Sequence, residues 1–110
     1  MKTKYIKTKV AGVTFDGRQE IIKNLKDTIG VYYELLREKD NKYDTNAVIV
    51  CAKTRDNKKF NVGYLPKDMN KAVARALDNN KTAFVKRYTY AGAYNENVNT
   101  GIELELVYGL

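Results

Sequence analysis

The most informative absence in this sequence is histidine, and tryptophan is missing as well. Cys51 is the single cysteine, so an internal disulfide bond is excluded. Without histidine, the chain has neither the ligands of a usual zinc site nor a Ser-His or Cys-His catalytic pair. Because Cys51 lies in an apolar run, we expect a buried, unreactive thiol. The residue types therefore point to a protein without cofactor and without enzymatic activity.

Long apolar runs and proline are also scarce. No apolar stretch reaches the roughly 18 residues that a membrane span needs. The basic N-terminus alternates with polar residues and lacks the apolar core of a signal peptide. Pro66 is the only proline, and the chain has no repeat, linker or low-complexity tract. We therefore expect a cytoplasmic protein without membrane association, in which residues 1–110 form a single domain.

Positive charge and tyrosine are what the chain has in excess. Lys and Arg number 20 against 13 Asp and Glu, and there are nine tyrosines. This balance favours a polyanionic partner, nucleic acid first and an anionic membrane surface second, with simple solubility as the alternative. Basic side chains hold phosphates and aromatic rings stack on bases. We expect Tyr33, Tyr88 and Tyr108 to face the core, and Tyr43 and Tyr64, beside turns, to serve function.

Apolar periodicity predicts an α+β domain of six strands and two short helices. Asp16 is a predicted N-cap with Gln19 as its capping-box partner, and Pro66 is placed in the first turn of the second helix. A sheet this small protects its edges by curving into a six-stranded antiparallel barrel of OB-like or SH3-like form. The predicted strands are Tyr5–Val13, Val31–Arg37, Ala47–Lys53, Phe60–Leu65, Thr82–Ala91 and Ile102–Tyr108, with helices near Arg18–Lys26 and from Pro66 to Leu77, and a polar loop at Tyr94–Thr100.

The segment Arg37–Val50 contains a polar turn between two strands. An aromatic ring, Tyr43, stands there next to Asp44. A carboxylate repels phosphate but accepts a hydrogen bond from a hydroxyl strongly, so this pair predicts recognition of a free sugar hydroxyl at a strand end. The alternative is a turn in which Asp and Asn bond their own backbone, which we favour for Asp40 and Asn41. A magnesium-dependent nuclease is a further alternative, although this turn offers few converging oxygens.

The start of the second helix is a candidate phosphate site. Unpaired backbone N–H groups point outward at a helix start, and Lys67 and Lys71 add positive charge there. A solvated helix end explains the same residues equally well.

Three pieces of this chain resemble the HIRAN domain family, in the form that stands alone in bacteria and phages. They are VAGVTFDGRQ (Val10–Gln19), LLREKDNKYDTNAVIV (Leu35–Val50) and VGYLPKDMNKAVARAL (Val62–Leu77). The resemblance implies a modified OB-like or SH3-like barrel with two helices. It further implies a non-enzymatic module that binds single-stranded DNA at its 3′ end in DNA repair or replication.

The resemblance also implies roles for individual residues. Tyr43 matches a stacking tyrosine, Asp44 the acid that meets the terminal hydroxyl, and Asn41 the asparagine that holds the turn. Phe15 falls at an aromatic position of the first loop. Lys67 matches a basic residue that faces phosphate. Tyr64 falls at a position where relatives can carry histidine. Thr14 departs from a position where relatives can carry arginine, and Arg18 is a candidate substitute. A protein-interaction module docking on a replication or repair enzyme is the alternative, supported by tyrosines and edge strands.

Overall fold

The computed structural model describes residues 2–92 and 98–109. Its elements follow the predicted order, and most boundaries differ from the prediction by only a few residues. Residues 94–97 of the predicted polar loop lie outside the described part. The strands are β1 (Thr3–Lys9), β2 (Tyr32–Arg37), β3 (Val48–Lys53), β4 (Lys59–Tyr64), β5 (Ala83–Ala91) and β6 (Gly101–Gly109), and the helices are α1 (Arg18–Leu25) and α2 (Asn70–Asp78).

The strands form two three-stranded antiparallel sheets, in the orders β1-β6-β5 and β2-β3-β4. The α+β class is confirmed, but the expected closed barrel is wrong for the described residues, where no continuous ladder of backbone hydrogen bonds joins the sheets. Apolar side chains of both sheets and both helices meet between them, including Ile22, Val50, Val73 and Leu104. Two different seams connect the sheets, one made of backbone and one made of tyrosine side chains.

The backbone seam follows directly after β1. The N–H of Val10 donates to the carbonyl of Ile102 in β6 at 2.9 Å. Its neighbour Ala11 exchanges two hydrogen bonds with Tyr64 in β4, at 2.7 and 2.9 Å. Gly63 makes this approach feasible, because its φ of +146° is unfavourable for other residues and a Cβ there would lie 2.3 Å from the Ala11 carbonyl oxygen.

The second seam, between β2 and β5, is built from tyrosines. The rings of Tyr33 and Tyr88 pack edge to face with centroids 4.7 Å apart. The hydroxyls of Tyr33 and Tyr90 share a hydrogen bond of 2.8 Å, and the Tyr88 hydroxyl donates to the Val31 carbonyl at 2.9 Å. Burial raises the pKa of Tyr33, so this hydroxyl stays protonated. β2 and β5 therefore meet through side chains and not through a backbone ladder.

Several predicted core residues are confirmed. Tyr33 and Tyr108 are buried, and Tyr88 is partly buried against the same core. Cys51 is buried as well, and burial raises the pKa of its thiol. A protonated thiol without access to solvent is unreactive, as expected.

The first helix begins at Arg18 as predicted, but its predicted cap and the predicted start of the second helix are both wrong. The N-cap of α1 is Gly17 in a left-handed conformation, and no side chain caps the helix. Gln19 instead donates to the carbonyls of Val13 and Thr100 and accepts from the Thr100 N–H at 2.7 Å. This tie to the chain before β6 takes the place of the capping box. In the second case, the Pro66 carbonyl closes a turn with the Met69 N–H, and α2 begins only at Asn70.

Replacing Gly63 with alanine should weaken the backbone seam. We expect Gly63→Ala to lower the free energy of unfolding by at least about 2 kcal/mol, since the new methyl group meets the Ala11 carbonyl in a strained conformation. Gly101→Ala is the control, because a Cβ there has only the Ala91 methyl near it, at 3.8 Å, and the loss should stay within about 0.5 kcal/mol. Urea unfolding measures both, and equal losses would contradict this account of the seam.

Candidate functional site

The polar turn between β2 and β3 is held by its own asparagine. The Asn41 Oδ1 atom accepts hydrogen bonds from the backbone N–H groups of Tyr43 and Asp44, at 2.8 and 2.9 Å. Its Nδ2 donates to Glu38 Oε1 at 2.7 Å. The Asn41 side chain therefore shapes the turn from within, as predicted for an asparagine that bonds the backbone.

Asp44 links this turn to α2. Its Oδ1 accepts from the Asn46 backbone N–H at 2.9 Å, and its Oδ2 accepts from Asn70 Nδ2 at 2.8 Å. The bond from Asn46 is the main cause that lowers the pKa of Asp44, with smaller contributions from Asn70, Lys67 and Arg37. A carboxylate has about four lone-pair positions. The ionised, half-buried group is thus fixed by two bonds and retains capacity to accept another.

The ring of Tyr43 stands free beside this carboxylate. It is 85% exposed, the highest value among the large hydrophobic side chains that are exposed. Its backbone is nevertheless held, because Asn41 accepts from its N–H and Lys67 Nζ donates to its carbonyl at 3.0 Å. The structure therefore presents a flat ring to solvent from a fixed point, next to an anion and a cation.

Arg37, at the end of β2, holds the turn through hydrogen bonds to its backbone carbonyls. Its Nη1 and Nη2 donate to the carbonyls of Ala47 and Thr45, at 2.8 and 3.0 Å. The same guanidinium holds both carboxylate oxygens of Asp78 at the end of α2, at 2.9 and 3.2 Å, and lowers the pKa of that acid. Sequence reasoning treated Arg37 only as a strand end, since the partner acid is distant in the chain.

Tyr64 joins the turn to the first loop. Its hydroxyl donates to Glu38 Oε1 at 2.9 Å, and its ring lies 5.6 Å from the Arg18 guanidinium carbon. Burial, followed by the bond to Glu38, raises the pKa of Tyr64, so the hydroxyl remains a donor. One Glu38 oxygen thus accepts from both Tyr64 and Asn41.

The first loop adds a second exposed ring. Phe15 is 66% exposed, and its side chain would lie 3.6 Å from a Cβ built at Gly12. Arg18 donates to the Gly12 carbonyl at 2.8 Å and is mostly buried between this loop and the Tyr64 ring. Contacts through Arg18, Tyr64 and Glu38 therefore run without a break from the Phe15 loop to the Tyr43 turn.

Lys71 is the predicted site residue that the structure places elsewhere. Successive helical residues point about 100° apart, so Lys71 does not share the direction of Asn70, which bonds Asp44. It lines a separate groove together with Ile6 and Tyr108. All the other predicted site residues belong to the connected set: Phe15, Arg18, Asn41, Tyr43, Asp44, Tyr64 and Lys67. Sequence reasoning missed Arg37, Glu38 and Asn70, which hold that set in place.

The side chains and helices of residues 2–92 and 98–109 bear on metal binding and on membrane crossing. In this part of the chain, no group of three or more acidic or cysteine side chains is arranged to hold a metal ion. No helix there is sufficiently long and apolar to cross a bilayer.

These features define a small α+β binding module, with two exposed rings, a fixed carboxylate and adjoining cations on one connected surface. The chain belongs to the HIRAN domain family, whose sequence profile matches residues 4–107. The resemblance drawn from the sequence is thereby confirmed. HIRAN domains are DNA-binding modules rather than catalytic domains.

Solved structures show the same fold. A crystal structure of a protein from Lactobacillus plantarum is similar with a TM-score of 0.63 and 22% identity, over 97% of each chain. The crystal structure of the HIRAN domain of human HLTF is similar with a TM-score of 0.57 and 22% identity, over 94% of this chain and 74% of that one. No curated protein sequence matches the chain.

The low pKa of Asp44 predicts a pH effect that depends on Asn70. Asn70→Ala removes a bond to the ionised form, so the pKa of Asp44 should rise. A pKa lowered by folding contributes stability above the unfolded-state pKa, and this stability is lost as pH falls through the folded-state pKa. The stability difference between wild type and Asn70→Ala should therefore shrink as the solution is acidified. Carboxyl-carbon NMR titration and urea unfolding across acidic pH measure the two effects.

Asn79→Ala is the matched control for that experiment. Asn79 lies just after α2, and its side chain donates to the Arg75 carbonyl at 2.8 Å. This variant should leave the Asp44 titration unchanged. An Asp44 pKa that is the same in wild type and Asn70→Ala would show that Asn70 does not stabilise the carboxylate.

Proposed function

We propose that this HIRAN domain binds single-stranded DNA and prefers a free 3′-hydroxyl end. It acts as a cytoplasmic, non-enzymatic module in DNA repair or replication. The observation that carries this proposal is the pairing at one turn of a freely exposed ring, Tyr43, with the ionised and fixed carboxylate of Asp44. The formal net charge of +7 and the DNA-binding family support a nucleic-acid partner.

Base stacking is the part assigned to the rings. Tyr43 and Phe15 are both largely exposed and lie at the two ends of the connected set of contacts. Stacking of one base on an aromatic side chain contributes about 1–3 kcal/mol, with little dependence on sequence. Each of the two terminal bases of the strand would stack on one of these rings.

Recognition of the strand end is the part assigned to Asp44. Asn46 and Asn70 hold the carboxylate in a fixed orientation and leave lone pairs for another donor. A 3′-hydroxyl donating to this anion makes a charge-assisted hydrogen bond. A 3′-phosphate at the same place would be repelled, so the carboxylate selects against a blocked end.

Phosphate binding falls to the cations beside the turn. Lys67 uses one N–H on the Tyr43 carbonyl and keeps its other donors for a phosphate. Arg18 offers little to a phosphate, because its side chain is only 10% exposed and its Nη2 lies 3.8 Å from Asp16 Oδ2. Lys71 would contact only a strand that bends around α2 into the neighbouring groove. Asn41 and Tyr64 act by positioning, because their polar atoms bond the turn and Glu38.

End chemistry provides the first test. Wild type should bind an oligonucleotide ending in 3′-hydroxyl on the order of tenfold more tightly than the same strand ending in 3′-phosphate. Asp44→Asn should remove most of this difference, and circular dichroism checks that the variant is folded. Fluorescence anisotropy measures the affinities, with a 5′-hydroxyl and 5′-phosphate pair as the control. Equal wild-type binding to both 3′ ends would refute the role of Asp44.

Stacking by Tyr43 provides the second test. Tyr43→Ala should cost about 1–3 kcal/mol of binding free energy. The stability should change by less than about 0.5 kcal/mol, because the ring is exposed. Tyr43→Phe should bind like wild type, since the ring rather than the hydroxyl does the stacking. An affinity that is unaffected by Tyr43→Ala counts against a base on this ring.

A second candidate function is docking on a replication or repair protein. Within the described residues β1 pairs only with β6, which leaves its other edge available for a partner strand. Salt distinguishes the two functions. Binding to DNA should weaken steeply with salt, whereas a contact made by backbone pairing should change little.

A further inference from the structure

The outer face of the β1-β6-β5 sheet carries a second pair of exposed rings. Val107 lies in the central strand β6. It pairs with Tyr5 in β1 on one side and with Phe84 in β5 on the other. They are 66% and 47% exposed, while Val107 between them is buried. Neighbouring strands are about 4.8 Å apart, so the two rings stand on backbones separated by about 10 Å.

A β-bulge in β5 adds cations to this same face. The register with β6 shifts between Val85 and Arg87, and Lys86 is the extra residue. In a regular strand Lys86 and Arg87 would point to opposite faces. Here Lys86 Nζ lies 5.1 Å from the centroid of the Tyr5 ring, and Arg87 Nε lies 3.8 Å from Glu105 on the outer face. The irregularity therefore gathers two adjacent positive charges beside the rings.

On this face, the charged side chains of each strand have one sign. The central strand β6 carries Glu103 and Glu105, and β1 places Lys9 and Lys7 directly opposite them. With Lys86 and Arg87 on β5, the outer strands carry the positive charge and the acids are flanked by it. A sugar-phosphate backbone would thus lie along an outer strand rather than over β6. An open cavity of about 360 Å³ is lined on this face by Lys7, Lys9, Arg87, Glu103 and Glu105.

The Lys9 end of this face lies close along the chain to the first loop of the candidate site. Lys9 ends β1, and the chain then passes through Val10 and Ala11 to Gly12, which borders Phe15 and accepts a bond from Arg18. Three residues of extended chain span at most about 11 Å. A strand that passes Phe15 therefore reaches the Lys9 end of this face within a few nucleotides.

We propose that this outer face is a second single-stranded DNA subsite, which takes the nucleotides on the 5′ side of the bound terminus. Tyr5 and Phe84 stack on bases, and Lys7, Lys9, Lys86 and Arg87 hold phosphates. The inference rests on the proposed function, because a 3′ end held at Asp44 directs the rest of the strand past Phe15. Stacking and phosphate contacts of this kind are independent of base sequence.

A length series of oligothymidylates with free 3′-hydroxyl ends tests the subsite. Wild type should bind dT12 at least about tenfold more tightly than dT3, since only the longer strand reaches both surfaces. The double variant Tyr5→Ala/Phe84→Ala should bind dT3 like wild type and lose most of the gain with dT12. Tyr32→Ala is the matched control, because Tyr32 is 48% exposed, lies under Lys53 at 5.7 Å, and belongs to the other sheet.

A charge variant provides a second test in case the ring variant does not fold. Lys7→Gln/Lys86→Gln leaves the rings in place and should reduce the salt dependence of dT12 binding by about 1.4 in logarithmic slope, with no change for dT3. Equal wild-type affinity for dT3 and dT12, or wild-type behaviour of both double variants with dT12, would overturn the subsite. Either result alongside a preserved 3′-hydroxyl preference with dT3 would leave the proposed function intact. Absence of that preference with dT3 refutes the proposed function separately.

Discussion

The pairing of Ala11 with Tyr64 is the interaction on which both the fold and the candidate site depend. It joins the two sheets by backbone hydrogen bonds, and Gly63 permits it because no Cβ fits against the Ala11 carbonyl. The same pairing fixes Tyr64, whose ring meets Arg18 and whose hydroxyl meets Glu38. A contact that holds the sheets together thus also holds the first loop against the polar turn.

In the polar turn, the polar side chains are held by hydrogen bonds, whereas the aromatic ring is exposed to solvent. Its polar groups are largely bonded within the protein: Asn41 to the backbone, Asp44 to Asn46 and Asn70, and Arg37 to two carbonyls and Asp78. A bonded network of this kind keeps one geometry. The ring of Tyr43 projects from it and is 85% exposed. Under the proposed function, binding would require little reordering of the protein, so little of the free energy of stacking would be lost.

Sequence patterns predicted the elements better than their ends and their assembly. Alternating apolar residues identified β6, and the adjacency of Tyr43 and Asp44 in one turn could be read directly because it is local. The Asp16 cap was wrong because Gln19 bonds Thr100, far along the chain. The closure of the barrel was wrong, since β2 and β5 meet through tyrosine side chains and not through a backbone ladder. In both cases a distant partner outweighed a local preference.

The sequence by itself determined the class of the domain, its positive charge, its family and the ring-and-carboxylate turn, since each depends on residue type and short spacing. Only the tertiary structure decided which residues support that turn. Arg37, Glu38 and Asn70 act through partners that folding brings near, and Lys71 is turned away by helical rotation. It also decided that Lys86 joins the outer face, because a bulge changes the side of a strand residue only through its pairing.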